Sequence, residues 1–348
     1  MSILSYSYPY IIHSFLVFNL SSVVYAQSDP NRDRPAREHQ VNQSSGLNPA
    51  NLVPANVNLP YKNEINIKVI ADKRVIWGNG IPDHKTGAFP NDGNPHEVEP
   101  QRFRYEMPAK PKLAEQSTPL SFNNFGVGIN GIPFDPGAAE WYLGKRDSQW
   151  RYEALAGAIP LGIDENHAHV QPNGAYHYHG LPQSWVNKLG FSKQKHSPLV
   201  GWAADGFPIY ALSGYVDSVN AKSGVKELRS SYRLKKGERP TGNSQPSGTY
   251  DGTFVNDYEF ISGVGDLDEC NGRYGKTPEF TGGTYAYFLT TDWPVIPRCF
   301  KGYVDASFNK RSGKRKGRMD HKMKSRRHRH PHPQHRPPPH RPHPRYRR

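Results

Sequence analysis

The stretch DENHAHVQPNGAYHYHG, residues 164–180, places two His-x-His pairs on either side of a Pro-Asn-Gly turn. Side chains alternate along a strand, so His167 and His169 share one face, and so do His177 and His179. Whether the two faces coincide depends on the loop, because a one-residue slip moves a whole set of side chains across the sheet. A two-residue Asn173-Gly174 loop sets Val170 opposite His177 and sends the pairs to opposite faces. A three-residue Pro172-Asn173-Gly174 loop sets His169 opposite His177 and His167 opposite His179. Proline suits the first corner of a type I turn, Asn the second, and Gly the left-handed position that closes it. Pro172 therefore favours the second register, with four imidazoles on one hairpin face.

Converging neutral imidazoles suit a transition metal, and a nitrogen-only set fits Cu(II) or Zn(II), with copper ahead in the usual affinity order. The ligand candidates are thus His167, His169, His177 and His179. Asp164 and Glu165 just upstream, and Asp205 in Ala204-Asp205-Gly206, are candidates to hold the rings from behind, although Asp205 also reads as a plain turn residue. Tyr176 and Tyr178 fall on the other strand face, where packing is the expected role. The competing reading is a surface hairpin whose histidines and tyrosines satisfy one another. Asp266, Asp268 and Glu269 alternate beside glycines and are candidates for Ca²⁺, without the full loop pattern of an EF-hand. The plainer alternative is a solvated acidic loop. His84 and His96 lie in Gly/Pro/Asn-rich loops and read as exposed.

Composition divides the 348-residue chain unevenly. Residues 1–26 carry an apolar run from Tyr10 to Val24 and a small residue, Ala26, at the expected cleavage point, so they read as a secretory signal. Nothing else approaches bilayer-spanning length, and a secreted, extracellular protein is expected. In that compartment the only two cysteines, Cys270 and Cys299, are expected to pair. Residues 27–59 are polar and Pro-rich, read as a disordered leader, and contain a glycosylation sequon at Asn42. From Arg311 onward, fifteen Lys and Arg face Asp320 alone, which accounts for the whole net charge of +14. Seven of the 16 histidines lie there too, spaced by prolines that favour extended backbone. The tail, residues 303–348, is expected to be disordered and to attract acidic extracellular polymers or matrix proteins. Secretion argues against nucleic acid as its partner.

Between the leader and the tail, residues 60–302 are rich in Tyr, Trp, Phe, Gly and Pro, with alternating runs such as Ile65-Asn66-Ile67-Lys68-Val69-Ile70 and frequent turn pairs. This predicts a mainly β, single, loop-rich domain with few short helices; Trp141–Ala158 and Gln183–Leu189 are the helix candidates. Two internal echoes stand out. Asn79-Gly80-Ile81-Pro82-Asp83 matches Asn130-Gly131-Ile132-Pro133, and Tyr176-His177-Tyr178-His179 matches Tyr285-Ala286-Tyr287-Phe288, where the tyrosines recur without the histidines.

The order HAHVQPNGAYHYHGLP, LVGWAADGFPIYA, GDLDECNGR and PRCFKG resembles the domain family named YHYH, after the motif standing here at Tyr176–His179. The resemblance implies that these segments form one domain, with the second motif diverged, and carries no activity with it. No G-x-S-x-G, H-E-x-x-H or Gly-rich phosphate loop is present, so hydrolase, kinase and dehydrogenase chemistry lack a motif. The expectation is a secreted copper- or zinc-binding protein attached through its tail to acidic matrix. The alternatives are a structural component of a mineralised or cross-linked matrix, and a metal-dependent extracellular enzyme.

Overall fold

The computed structural model describes residues 52–121 and 123–309. The expected signal, Asn42, the greater part of the expected leader and the tail from Lys310 lie outside the described residues. As the composition predicts, the domain is mainly β. It opens with the antiparallel meander β1 (Ile65–Ile70), β2 (Lys73–Gly78) and β3 (Phe103–Pro108). Next come β4 (Leu113–Pro119), β5 (Gly126–Gly128), β6 (Pro133–Phe134), β7 (Gly137–Trp141) and β8 (Arg151–Glu153). The histidine hairpin is β9 (Ala168–Val170) and β10 (Tyr176–Tyr178), followed by α1 (Gln183–Lys188). The second half holds β11 (Gly201–Ala203), β12 (Pro208–Ala211), β13 (Ser213–Tyr215), β14 (Val225–Glu227), β15 (Tyr232–Leu234), β16 (Tyr258–Phe260), β17 (Gly272–Gly275), β18 (Thr284–Leu289) and β19 (Cys299–Gly302).

The core is an eight-stranded sheet in the order β17-β18-β12-β11-β5-β6-β10-β9. Read from either end, the order is the same: an antiparallel hairpin, a parallel step, then a second antiparallel hairpin, meeting its counterpart at β5 and β11. That junction requires glycine. A Cβ on Gly126 would lie 2.5 Å from the Trp202 carbonyl oxygen, and one on Gly201 would lie 2.6 Å from that of Val127. The inner strands β11, β12 and β18 are buried on both faces, so their apolar residues run continuously instead of alternating.

Gln183–Lys188 is helical as expected, but Trp141–Ala158 is not. That segment is β7, three short 3-10 turns and β8, and left-handed residues at Leu143, Gly144, Gln149 and Gly157 interrupt any helix. Its aromatic residues instead gather Tyr142, Trp150 and Tyr152 around Phe254 in a satellite cluster. The packed chain also reaches past residues 60 and 302 at both ends. Val53 bridges to Asp164, and Phe308 is buried with its ring stacked 4.8 Å from that of Tyr105. Cys270 and Cys299 form the expected disulfide, with Cα atoms 5.0 Å apart, joining the approach to β17 to the start of β19.

Candidate metal centre

The hairpin turn between β9 and β10 is the three-residue one, Pro172-Asn173-Gly174, enclosed by Gln171 and Ala175. The Gln171 amide donates to the Ala175 carbonyl, Gly174 is left-handed at φ 81°, and His169 lies opposite His177. His169, His177 and His179 therefore converge, with one ligating nitrogen from each ring within 4.8 Å of the others; they are the group of metal-capable side chains among the described residues. The Nε2 of His179 lies 3.0 Å from that of His169 and 3.1 Å from that of His177.

The protons on two of these rings are fixed by backbone carbonyls. His169 Nδ1 donates to the Leu161 oxygen at 2.8 Å and His177 Nδ1 to the Ala175 oxygen at 3.2 Å. A carbonyl only accepts, so both rings turn an Nε2 lone pair toward the cluster. One proton on His179 Nε2 serves one lone pair at a time, whereas a cation serves all three. Tetrahedral zinc with bonds of about 2.0–2.1 Å would set its ligand nitrogens roughly 3.3 Å apart, close to the separations seen. Gln171, on the His169 face of the hairpin, places its Nε2 3.3 Å from His177 Nε2 and donates to the same lone pair. His177 and His179 are 2 % exposed and His169 is half-buried, so the cluster is largely enclosed, with His169 its most exposed member. Burial also holds the His169 imidazolium below the usual range, which keeps the ring neutral for ligation.

The fourth candidate, His167, does not join them. It has a left-handed backbone, φ 53°, so strand alternation begins only at Ala168. Its Nδ1 accepts the Leu181 amide at 3.1 Å, so the ring carries its proton on Nε2, the opposite tautomer to His169 and His177. Burial pushes the His167 pKa down to about 4. A buried neutral histidine contributes no penalty above the unfolded value of about 6.5, and its stability is lost as pH falls from there through 4. The counterpart position in the second half of the sheet is Asn271, also at φ 53°, so His167→Asn preserves the turn while removing the titration. The stability difference between wild type and His167→Asn is expected to move by about 3 kcal/mol in favour of the variant between pH 7 and pH 4. Urea unfolding at the two pH values measures it, and a pH-independent difference would refute the assignment. The difference also removes Asp164, which burial raises to about 6 and which acts in the opposite direction in both proteins.

None of the three carboxylates proposed to hold the rings does so. Asp164 accepts from the amides of Gly87, Asn166 and Ala168 and from the Tyr176 hydroxyl, and so shapes the entry to β9. Glu165 accepts the Ala55 amide. Asp205 receives the Tyr287 hydroxyl and the amides of Phe207 and Gly302, across the sheet. The calcium candidates are likewise committed to the chain's own donors: Asp266 to Lys226 and the Arg229 amide, Asp268 to the Cys270 and Gly272 amides, and Glu269 to Lys301. These three carboxylates form no cation cluster among the described residues.

Three further contacts have no signal in the residue pattern. The Leu161 and Ala175 carbonyls are backbone groups, and His84, which reads as exposed, accepts the Tyr178 hydroxyl at 2.7 Å while Asn130 donates to the same oxygen. Gln171 alone could have been found, since it lies two residues beyond His169. No curated protein and no solved structure matches the chain. The model of one family, described as YHYH protein, matches residues 104–302, more than half of the chain and all of the core sheet. With the motif's histidines at the centre of the one cluster able to hold a metal among the described residues, the chain belongs to the YHYH protein family.

Proposed function

We propose that this is a secreted protein whose His169, His177 and His179 bind one copper or zinc ion, and whose basic tail attaches it to acidic extracellular polymers. The observation that carries the metal reading is the convergence of three ring nitrogens, with the outer protons of two rings pinned by carbonyls. All-nitrogen ligation and the affinity order favour copper. Bound there, the ion would act as a Lewis acid or, if copper, as a one-electron centre. His169 and His177 would orient the site through their carbonyl bonds, and Gln171 would have to release His177. Three protein ligands leave a coordination position open, as in catalytic sites, which favours a metal-dependent enzyme over a purely structural matrix component as the second reading.

The seven tail histidines are also able to ligate metal, so the test is a difference. Full-length chain and His177→Ala/His179→Ala, both loaded with Cu(II) or Zn(II) and desalted, are compared by elemental mass spectrometry. One ion fewer per chain in the variant is expected. Equal metal content in two folded proteins would refute the reading.

A further inference from the structure

The two ends of the core sheet are copies of one unit, residue for residue. In the inner hairpins, Gly126 pairs with Phe134 and Val127 with Pro133, as Gly201 pairs with Ile209 and Trp202 with Pro208. Their turns, Asn130-Gly131 and Asp205-Gly206, both have left-handed glycines. The Ile129 amide donates to Val200, and reciprocally the Ala204 amide donates to Phe125. In the outer hairpins, Phe134 pairs with Tyr178 as Ile209 pairs with Tyr287. Asn130 bonds the Tyr178 hydroxyl, and Asp205 bonds that of Tyr287. Asp164 accepts from Asn166, Ala168 and Tyr176, and Asp268 accepts from Cys270, Gly272 and Tyr285. His167 and Asn271 occupy the same left-handed position, and their carbonyls accept the amides of His179 and Phe288.

This register assigns a counterpart to each ligand. His177 pairs with His169 where Ala286 pairs with Arg273, and His179 corresponds to Phe288. The Arg273 guanidinium carbon lies 5.6 Å from the centre of the Phe288 ring, and its Nη2 donates to the Tyr215 carbonyl at 2.7 Å. A fixed organic cation over an aromatic face thus lies where the first half gathers three imidazoles. A further imidazole enters from outside the repeat: His196 packs 6.0 Å from Phe288 and 4.9 Å from Tyr210. Its Nδ1 donates to the Ser197 carbonyl, and its buried Nε2 has no hydrogen-bond partner.

We infer that the domain carries two equivalent sites, one open to a metal ion and one closed by Arg273 and Phe288, and that the closed site takes a transition metal once its histidines are supplied. The inference rests on the metal reading of the first site, but its test is separate. Arg273→His/Ala286→His/Phe288→His is made in the full chain, both with native His177 and His179 and in the His177→Ala/His179→Ala background. In each background, one more Cu(II) or Zn(II) per chain than the matched parent is expected, with imidazole nitrogen coupling in the copper spectrum. Folded variants with no additional ion in either background would overturn the inference while leaving the first site's own difference intact. If the triple variant does not fold, the reciprocal exchange decides. His169→Arg/His177→Ala/His179→Phe is expected to fold without metal and to melt no lower than metal-free wild type. A reciprocal variant that is unfolded, or that melts below metal-free wild type, would overturn the equivalence.

Discussion

Single substitutions His169→Ala, His177→Ala and His179→Ala are each expected to weaken Cu(II) or Zn(II) binding by at least about 100-fold, the upper end of what loss of a supporting contact alone costs. His167→Asn is expected to leave it within about threefold. The contrast follows from geometry: the first three rings share a 4.8 Å cluster, whereas His167 spends its Nδ1 on the Leu181 amide. Competition titrations against a chelator of known affinity measure all four, with the tail sites saturated first or masked by the competitor. Equal losses for all four histidines would restore the four-ligand arrangement and contradict the left-handed turn at His167. No loss for His179, whose Nε2 lies within 3.1 Å of both neighbours, would remove the metal site altogether.

Asp164→Ala is expected to be the most damaging single change outside the ligands. The side chain is fully buried and collects four donors, at 2.9 Å from Gly87 and Asn166, 3.2 Å from Ala168 and 2.7 Å from the Tyr176 hydroxyl. Its loss takes their acceptor from the buried Gly87 amide and Tyr176 hydroxyl, at roughly 1–3 kcal/mol each. It also releases the turn that sets the register of His169. A destabilisation of about 3–5 kcal/mol is expected, a fall of roughly 10 °C in Tm for a domain of this size, together with weaker metal binding. Asp268→Ala removes the equivalent side chain from the second unit, where it is only half-buried. It should cost less and leave metal affinity unchanged. Thermal unfolding and metal titration of the two variants measure this, and matching effects on metal affinity would contradict the assignment of Asp164 to the hairpin.

The hairpin register was legible because one residue, Pro172, distinguishes a three-residue loop from a two-residue one, and the pairing of His169 with His177 follows from it. The disulfide was legible because two cysteines allow one pairing. The exclusion of His167 was not. Its left-handed backbone follows from Asp164 capping Asn166 and Ala168, an arrangement the i, i+2 spacing does not encode. Trp141–Ala158 misled through its apolar content, which serves an aromatic cluster around Phe254 and not a helix face. The echo between Asn79 and Asn130 is one local turn used twice, with a left-handed glycine and the isoleucine amide on the Asn Oδ1 in both, but it does not extend to the core sheet. Hydrogen bonding instead makes Asp205-Gly206 the counterpart of Asn130-Gly131, and the match between Tyr176–His179 and Tyr285–Phe288 a true structural repeat. Acidic residues suggested partners for the imidazoles, but neutral carbonyls of Leu161 and Ala175 serve. A carbonyl fixes a tautomer as well as a carboxylate does, without a buried negative charge.

The central claim is that three imidazole nitrogens of one hairpin share one ion. Electron spin-echo spectroscopy of the full-length chain with one equivalent of Cu(II), set beside His177→Ala/His179→Ala, tests it most directly. The account predicts a high-affinity copper signal coupled to three imidazoles in the wild type, and its absence from the variant, where only tail-bound copper remains. The same spectrum from both proteins would contradict it.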